Sequence, residues 1–459
     1  MPGFVGQLRE WWRRVGGWVW PGARPAADGT ARISSQLRAL FQDSQSAWGG
    51  EMSARERATR IAALYRDSNL TGRTETLKAI TVTFAPGRVE LDHALAAMAG
   101  AATEKERGRA EAALRLALDA PRAHFLKQFN LLPDGVRFLV ELRADLLEVM
   151  PQEPQLEVLK VELDDLLTSW FDPGFIELAR ISWQTPAAVL EKLMAYEAVH
   201  PIASWADLRN RLDTDRRCYA FFHPRLPGEP LIFVEIALTQ GMPESVQWLL
   251  DEQAPLQDPH AADTAVFYSI SSAQQGLRGI SFGNLLLKRV IEDLQRDLPR
   301  LKTFATLSPL PGFRAWLDKL AAVDPELLSR GESAKIAAAF GAGPGKTLLA
   351  SALEQPDWHH NPRLSESLHA PLERLCARYL LREKSGGAPL DPVAGFHLHN
   401  GARVNRIFWL ADTSPRGLRQ SYGMMASYRY DLDMVDRNHE RFSEAGQIAA
   451  SRRVKRLLD

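Results

Sequence analysis

From Ala265 to Phe313 the chain reads AVFYSISSAQQGLRGISFGNLLLKRVIEDLQRDLPRLKTFATLSPLPGF, and this run holds the residue types with the clearest capacity for chemistry. Its pattern is a strand, a glycine-punctuated loop, an amphipathic helix, a second strand and a Ser-Pro turn. Gly276, Gly279 and Gly283 relieve crowding, so backbone N–H groups from Arg278 to Asn284 can face an anion at the start of the following helix. Lys288 and Arg289 add charge nearby. Such a loop can cradle phosphate, and the same spacing also serves a tight strand-to-helix turn that holds no ligand. Ser308 sets a hydroxyl where the second strand ends.

Other patterns point to chemistry less firmly. The loop is not a dinucleotide fingerprint, because its glycine spacing differs and no acid follows at the required distance. The run Gly341-Ala-Gly-Pro-Gly345-Lys346-Thr347 imitates a phosphate-binding Walker loop, but its outer glycines are too close. It also follows AKIAAAF, which has helical composition where a buried strand is required; a helix cap, a turn and a new helix are expected there. His397 and His399 would share a face on a strand, which raises metal ligation. No acid or third histidine sits at supporting spacing, and the His359-His360 pair in a Trp-Asn-Pro loop has still less support, so no metal is expected.

The elements that must position these groups fall into two parts. From about Ser34 to Trp170 apolar residues recur at helical spacing: Phe138, Leu139, Leu142, Leu146 and Leu147 form one stripe, Leu159, Leu163, Leu166, Leu167 and Trp170 another. Breaks at Pro133-Asp-Gly135 and Pro151 to Pro154 cut this region into separate helices, predicting an antiparallel helical domain. The segment from Trp170 to Leu212 reads as a junction. After Arg217 the period becomes extended: CYAFFHP, a Pro-Gly-Glu-Pro turn at 227 to 230, and LIFVEIALT. Strand LIFVEIALT, helix PESVQWLLDEQ, strand AVFYSISS, helix GNLLLKRVIEDL and strand TFATLS then alternate, predicting a mixed sheet with helices on its faces. Ligands of such sheets gather at the carboxyl ends of strands, where both the glycine loop and Ser308 fall.

Composition excludes several classes. A chain of 459 residues implies at least two domains, and 45% hydrophobic with 24% charged residues is the ordinary globular balance. With 56 basic and 56 acidic residues the net charge is zero, so no global field gathers nucleic acid or anionic membrane. Two cysteines, Cys218 and Cys376, make no disulfide framework. No apolar run is long enough to span a membrane, and stable membrane insertion is not expected. The Trp- and Arg-rich start is read as a tail or partner-contacting arm, the C-terminus carries no peroxisomal tripeptide, and a cytoplasmic location is expected.

After Trp170 the runs YEAVHP, RRCYAFFHP, PGEPL, FYSISSAQQGL, SPLPGF, LCARYLL, DPVAGFHLHNGA and MMASYRY, in that order, resemble the malonyl-CoA decarboxylase family. The resemblance implies an α+β multidomain chain: a tail over residues 1–33, an all-helical oligomerisation domain over 34–185, and an α/β catalytic domain of the N-acetyltransferase fold over 186–459. It implies conversion of malonyl-CoA to acetyl-CoA and carbon dioxide, with no metal or organic cofactor, and a homo-oligomer, dimer or tetramer, built through the helical domain. Ser308 matches the family's catalytic serine and His397 its catalytic histidine, the hydroxyl relaying a proton and the imidazole accepting it. Tyr430 and Ser269 match supporting residues beside and beneath the pocket. Coenzyme A is expected on Gln275, Gly276, Arg278, Gly279, Ile280, Ser281, Phe282, Gly283 and Asn284. Ser281 stands where animal members are expected to carry an acid, so here it would lend only an N–H or hydroxyl. Two other activities fit the same fold: a CoA-dependent N-acyltransferase, which needs an amine acceptor groove, and a silent acyl-CoA sensor, which leaves Ser308 and His397 unexplained.

Overall fold

A computed structural model describes residue 40 and residues 51–118, 121–280, 285–324, 327–340 and 348–459. The expected tail over 1–33, the loop residues Ser281, Phe282, Gly283 and Asn284, and the Walker-like run from Gly341 to Thr347 lie outside the described residues. Two compact units divide the chain: Met1–Asp172 with Gln274–Ser281, and Pro173–Ala273 with Phe282–Asp459. Residues 173–185, read from sequence as part of the helical domain, therefore group with the sheet, to which Glu177–Ile181 contributes a strand.

The first unit is helical, as its spacing predicts: Glu51–Asp67, Leu70–Thr83, Arg88–Gly100, Glu104–Leu118, Pro121–Gln128, Gly135–Val149 and Glu157–Trp170. Both predicted breaks are present. Phe129–Leu131 and Pro154–Leu156 are short 3-10 turns ahead of the last two helices. The stripes Phe138, Leu139, Leu142, Leu146 and Leu159, Leu163, Leu166, Leu167 are buried, with Phe84 stacked on Phe125 at 4.2 Å and Phe129 on Phe138 at 4.7 Å. The helices Arg88–Gly100 and Glu104–Leu118 differ, burying only Ala94 and Ala110.

The second unit is built on an eight-stranded sheet in the order β1-β2-β3-β4-β5-β10-β6, with β9 also paired to β10. Its strands are β1 Glu177–Ile181, β2 Arg216–Phe222, β3 Ile232–Thr239, β4 Thr264–Ser272, β5 Thr303–Thr306, β6 Ser308–Pro309, β9 Arg403–Phe408 and β10 Met425–Arg429; β7 Lys384–Ser385 and β8 Ala388–Pro389 form a separate ribbon. Among the described strand pairs only β4 and β5 run parallel, joined through the helix Leu285–Asp297. The central strands are near-continuous apolar runs because both of their faces are covered.

One irregularity decides which residues meet. Between β3 and β4 the register shifts, so that Ser269 stands opposite Glu235 while Phe267 stands opposite Ile236, leaving Tyr268 as the extra residue of a bulge. Glu235 and Ile236 are neighbours on a strand and point to opposite faces. Ser269 and Phe267 therefore also face opposite sides of the sheet.

Candidate active site

Ser308 and His397 meet. Ser308 begins β6, paired with Ala426 of β10, and is buried. His397 comes from the helix Pro392–His399, where the sequence reading expected an extended segment. That expectation fails for a local reason. Asp391 accepts the Ala394 N–H as an N-cap at 2.8 Å, and Pro392 takes the first helical position, where a missing N–H costs nothing. On a helix, positions two apart do not share a face. His397 turns inward, and His399 instead lies 5.0 Å from the ring of His439, so the His-x-His pair offers no common metal face.

Ser308 Oγ lies 3.2 Å from His397 Nε2, and its hydroxyl donates to Thr306 Oγ1 at 2.8 Å. Thr306 Oγ1 also accepts the Tyr428 N–H at 3.0 Å. His397 Nδ1 is 2.7 Å from the Tyr430 hydroxyl, and the imidazole stacks on Tyr428 at 4.5 Å. Burial pushes the imidazole down to about 3 and the Tyr430 phenol well above its ordinary range, so both are neutral near pH 7. A neutral imidazole has one N–H, and the network assigns it. Because the single hydroxyl proton of Ser308 is directed to Thr306, the contact with His397 is satisfied by Nε2–H donating to Ser308. Nδ1 then accepts from Tyr430. The resting hydrogen bonds run Tyr430, His397, Ser308, Thr306, and the imidazole donates to Ser308 where the sequence reading had it accept.

The other sequence candidates fall elsewhere. Ser269 donates to both carboxylate oxygens of Glu197 at 2.8 and 2.9 Å, joined by Ser271 at 3.0 Å. This cluster lies on the sheet face away from Phe267, whose ring approaches Tyr430 at 6.3 Å. Ser269 is thus separated from the Ser308–His397 pair by the sheet. Glu197 also accepts the Val199 and His200 N–H groups at 2.8 Å each, which accounts for the run YEAVHP as a strut against β4.

In the glycine loop, Gln275–Leu277 form a 3-10 turn in the first unit. Gly276 is buried, and a Cβ there would lie 1.8 Å from Val140 O, so close helix packing demands this glycine irrespective of any phosphate. Gly279 has φ +84 with open space around it, and Gln275, Arg278 and Gly279 are exposed while Ile280 is buried. Sequence reasoning missed Arg143, whose Nη1 donates to Gly276 O at 2.6 Å and Arg278 O at 2.9 Å while Nε pairs with Asp164 at 2.6 Å. It also missed Thr306 and Tyr428, although each lies two residues before a candidate, at the spacing that puts side chains on one strand face.

A buried serine–histidine pair linked by neutral hydrogen bonds lies just past the end of the parallel strand β5 in a mixed sheet, an arrangement that can pass protons between uncharged groups. Sequence comparison makes the class specific. The profile of the malonyl-CoA decarboxylase C-terminal domain matches residues 174–459, and that of the N-terminal domain residues 84–171. The mitochondrial malonyl-CoA decarboxylase of Anser anser anser is 41% identical over 366 residues, covering 76% of this chain and 72% of the relative. The solved malonyl-CoA decarboxylase of Rhodopseudomonas palustris superposes with a TM-score of 0.83 at 41% identity, over 92% of this chain and 99% of that one. That of Agrobacterium vitis gives 0.80 at 39% identity, over 93% and 100%. This chain belongs to the malonyl-CoA decarboxylase family.

Proposed function

We propose that Ser308 and His397 carry out the decarboxylation of malonyl-CoA to acetyl-CoA by stabilising and then protonating an enolate. The bond between the carboxylate carbon and Cα breaks, carbon dioxide leaves, and its electron pair enters the thioester carbonyl as an enolate. The substrate supplies its own electron sink, so the reaction requires oriented donors and a proton but no metal or organic cofactor. Ser308 turns its hydroxyl from Thr306 to the substrate and gives its proton to Cα. His397 Nε2–H replaces that proton and Nδ1 takes the phenol proton of Tyr430; before the next turnover solvent returns one proton to Nε2 and Nδ1 hands its proton back to Tyr430, which restores the resting order. Atoms balance, with one proton consumed for each carbon dioxide released. The 3.2 Å contact between Ser308 Oγ and His397 Nε2 carries this reading.

Coenzyme A is assigned to the loop from Gln275 to Asn284, with exposed Gln275, Arg278 and Gly279 as its accessible described members. Ser281 would contribute an N–H or hydroxyl to the coenzyme. A homo-oligomer built through the helical unit is supported by the pair Arg88–Gly100 and Glu104–Leu118, which leaves Val89, Leu95, Leu116 and Leu118 exposed. No described helix is long and apolar enough to cross a membrane. A reducing compartment such as the cytoplasm suits Cys218 and Cys376, both buried free thiols.

Carbon dioxide release from malonyl-CoA, measured with no amine added, tests the activity and separates it from acyl transfer. Ser308→Ala and His397→Ala are each expected to slow kcat roughly 100- to 10,000-fold, the range for a lost acid–base partner. A folded variant of either kind that turns over at the parent rate would overturn the assignment.

A further inference from the structure

We propose that Asp357, His359 and His360 form a binding site for one divalent transition-metal ion, with zinc the best chemical fit, separate from the residues assigned to decarboxylation. One imidazole nitrogen from each histidine and one carboxylate oxygen of Asp357 all lie within 4.8 Å of one another. Zinc bound at about 2.0 to 2.2 Å to such ligands needs separations of about 3.3 to 3.5 Å, which rotation of these side chains can provide. Two imidazoles and one carboxylate suit a borderline cation, and three protein ligands leave a position for water.

The turn is already formed and anchored. Asp357 is a non-glycine residue with φ 51 and ψ 29, in the left-handed region. Its carboxylate stands within reach of the imidazoles of the following turn Trp358–His360, a proximity that sequence spacing alone does not reveal. The His360 N–H donates to Asp357 O at 2.8 Å and the Asn361 N–H to Trp358 O at 3.1 Å. Trp358 is buried between Trp409 at 5.8 Å and Tyr422 at 6.3 Å, while Asn361 caps the helix Pro362–Leu381. The two imidazole rings lie 4.1 Å apart.

The full-length chain, freed of metal by dialysis against a chelator, is titrated with zinc chloride in competition with a chromogenic indicator. One ion per chain is expected. The His359→Ala, His360→Ala double variant should lose that binding event, and Asp357→Asn should weaken it by more than the roughly tenfold typical of a lost outer-layer partner. Cobalt added to the parent protein gives a second readout independent of any variant, an intense visible band from tetrahedral coordination. A parent chain that binds no stoichiometric zinc, a folded double variant that binds as tightly, or cobalt without the tetrahedral band would each overturn the site.

Discussion

Replacing Thr306 by valine keeps the shape of a fully buried side chain and removes one oxygen, which accepts hydrogen bonds from Ser308 at 2.8 Å and from the Tyr428 N–H at 3.0 Å. Two effects follow and can be separated. The Tyr428 N–H is left buried and unpaired, a loss of about 1 to 3 kcal/mol in stability. The Ser308 hydroxyl, without its acceptor, swings to His397 Nε2, which obliges the imidazole to carry its proton on Nδ1. In that state His397 can no longer replenish Ser308, and misdirecting one hydrogen bond worth about 1 to 1.5 kcal/mol lowers kcat about tenfold. KM should hardly move, because Thr306 is assigned no contact with substrate. Thr306→Ser restores the oxygen and should recover most of kcat. Steady-state carbon dioxide release, with denaturant melts as a control for folding, gives both numbers. If valine leaves kcat within twofold of the parent, or if serine is as slow as valine, the direction assigned to the hydrogen-bond chain is wrong.

Tyr430→Phe removes the donor to His397 Nδ1 at 2.7 Å and should lower kcat by about tenfold with little change in KM, one lost hydrogen bond, as read in the same assay. Asp391, the buried cap of the helix that carries His397, is raised by burial from 3.8 to about 6. Its neutral form is favoured on folding, so its contribution is fully present below pH 3.8 and is lost as pH rises through about 6, at most about 3 kcal/mol. Asp391→Asn keeps a neutral cap and should gain stability relative to the parent between those limits; a stability difference that stays flat with pH in chemical denaturation contradicts this. Gly276→Ala would press a methyl against Val140 O, and the resulting shift should cost about 1 to 3 kcal/mol in denaturant melts, so an unchanged midpoint would show that the loop does not pack as described.

Much of the architecture was legible because burial repeats with the period of the element. The stripe from Phe138 to Leu146 and the runs IFVEIALT and TAVFYSISS announce a helix and two strands without further context. PESVQWLLDEQ promised a longer helix than Val246–Leu250, because Pro255 disfavours helical backbone at Ala254 and the chain turns at Asp251. The helix of His397 is not evident from the His-x-His pattern, which also fits a strand, although Asp391 and Pro392 form a helix start signal. The bulge at Tyr268 left no mark, as no glycine attends it, and with it went the placement of Ser269. Gly276 was read for its backbone freedom, whereas its contact with Val140 joins residues far apart in sequence and has no local signature.

The neutrality of the proposed relay has a physical rationale. A charged imidazolium beside the malonyl carboxylate would bind the ground state strongly and lose that attraction as carbon dioxide departs uncharged, which lowers the energy of the reactant more than that of the transition state. Burial that holds His397 near 3, and Tyr430 well above its ordinary range, removes that penalty while leaving O–H and N–H donors aimed along one line. Such donors strengthen as charge gathers on the enolate oxygen and do little for the carboxylate beforehand, the differential that catalysis requires. The acidic groups of Glu197 and Glu235 lie on the other face of the sheet, where Ser269, turned to that face by the bulge in β4, holds Glu197 together with Ser271, and Arg211 holds Glu235. A carboxylate exposed on the relay's own face would favour an imidazolium and destroy the proton order on which Ser308 depends.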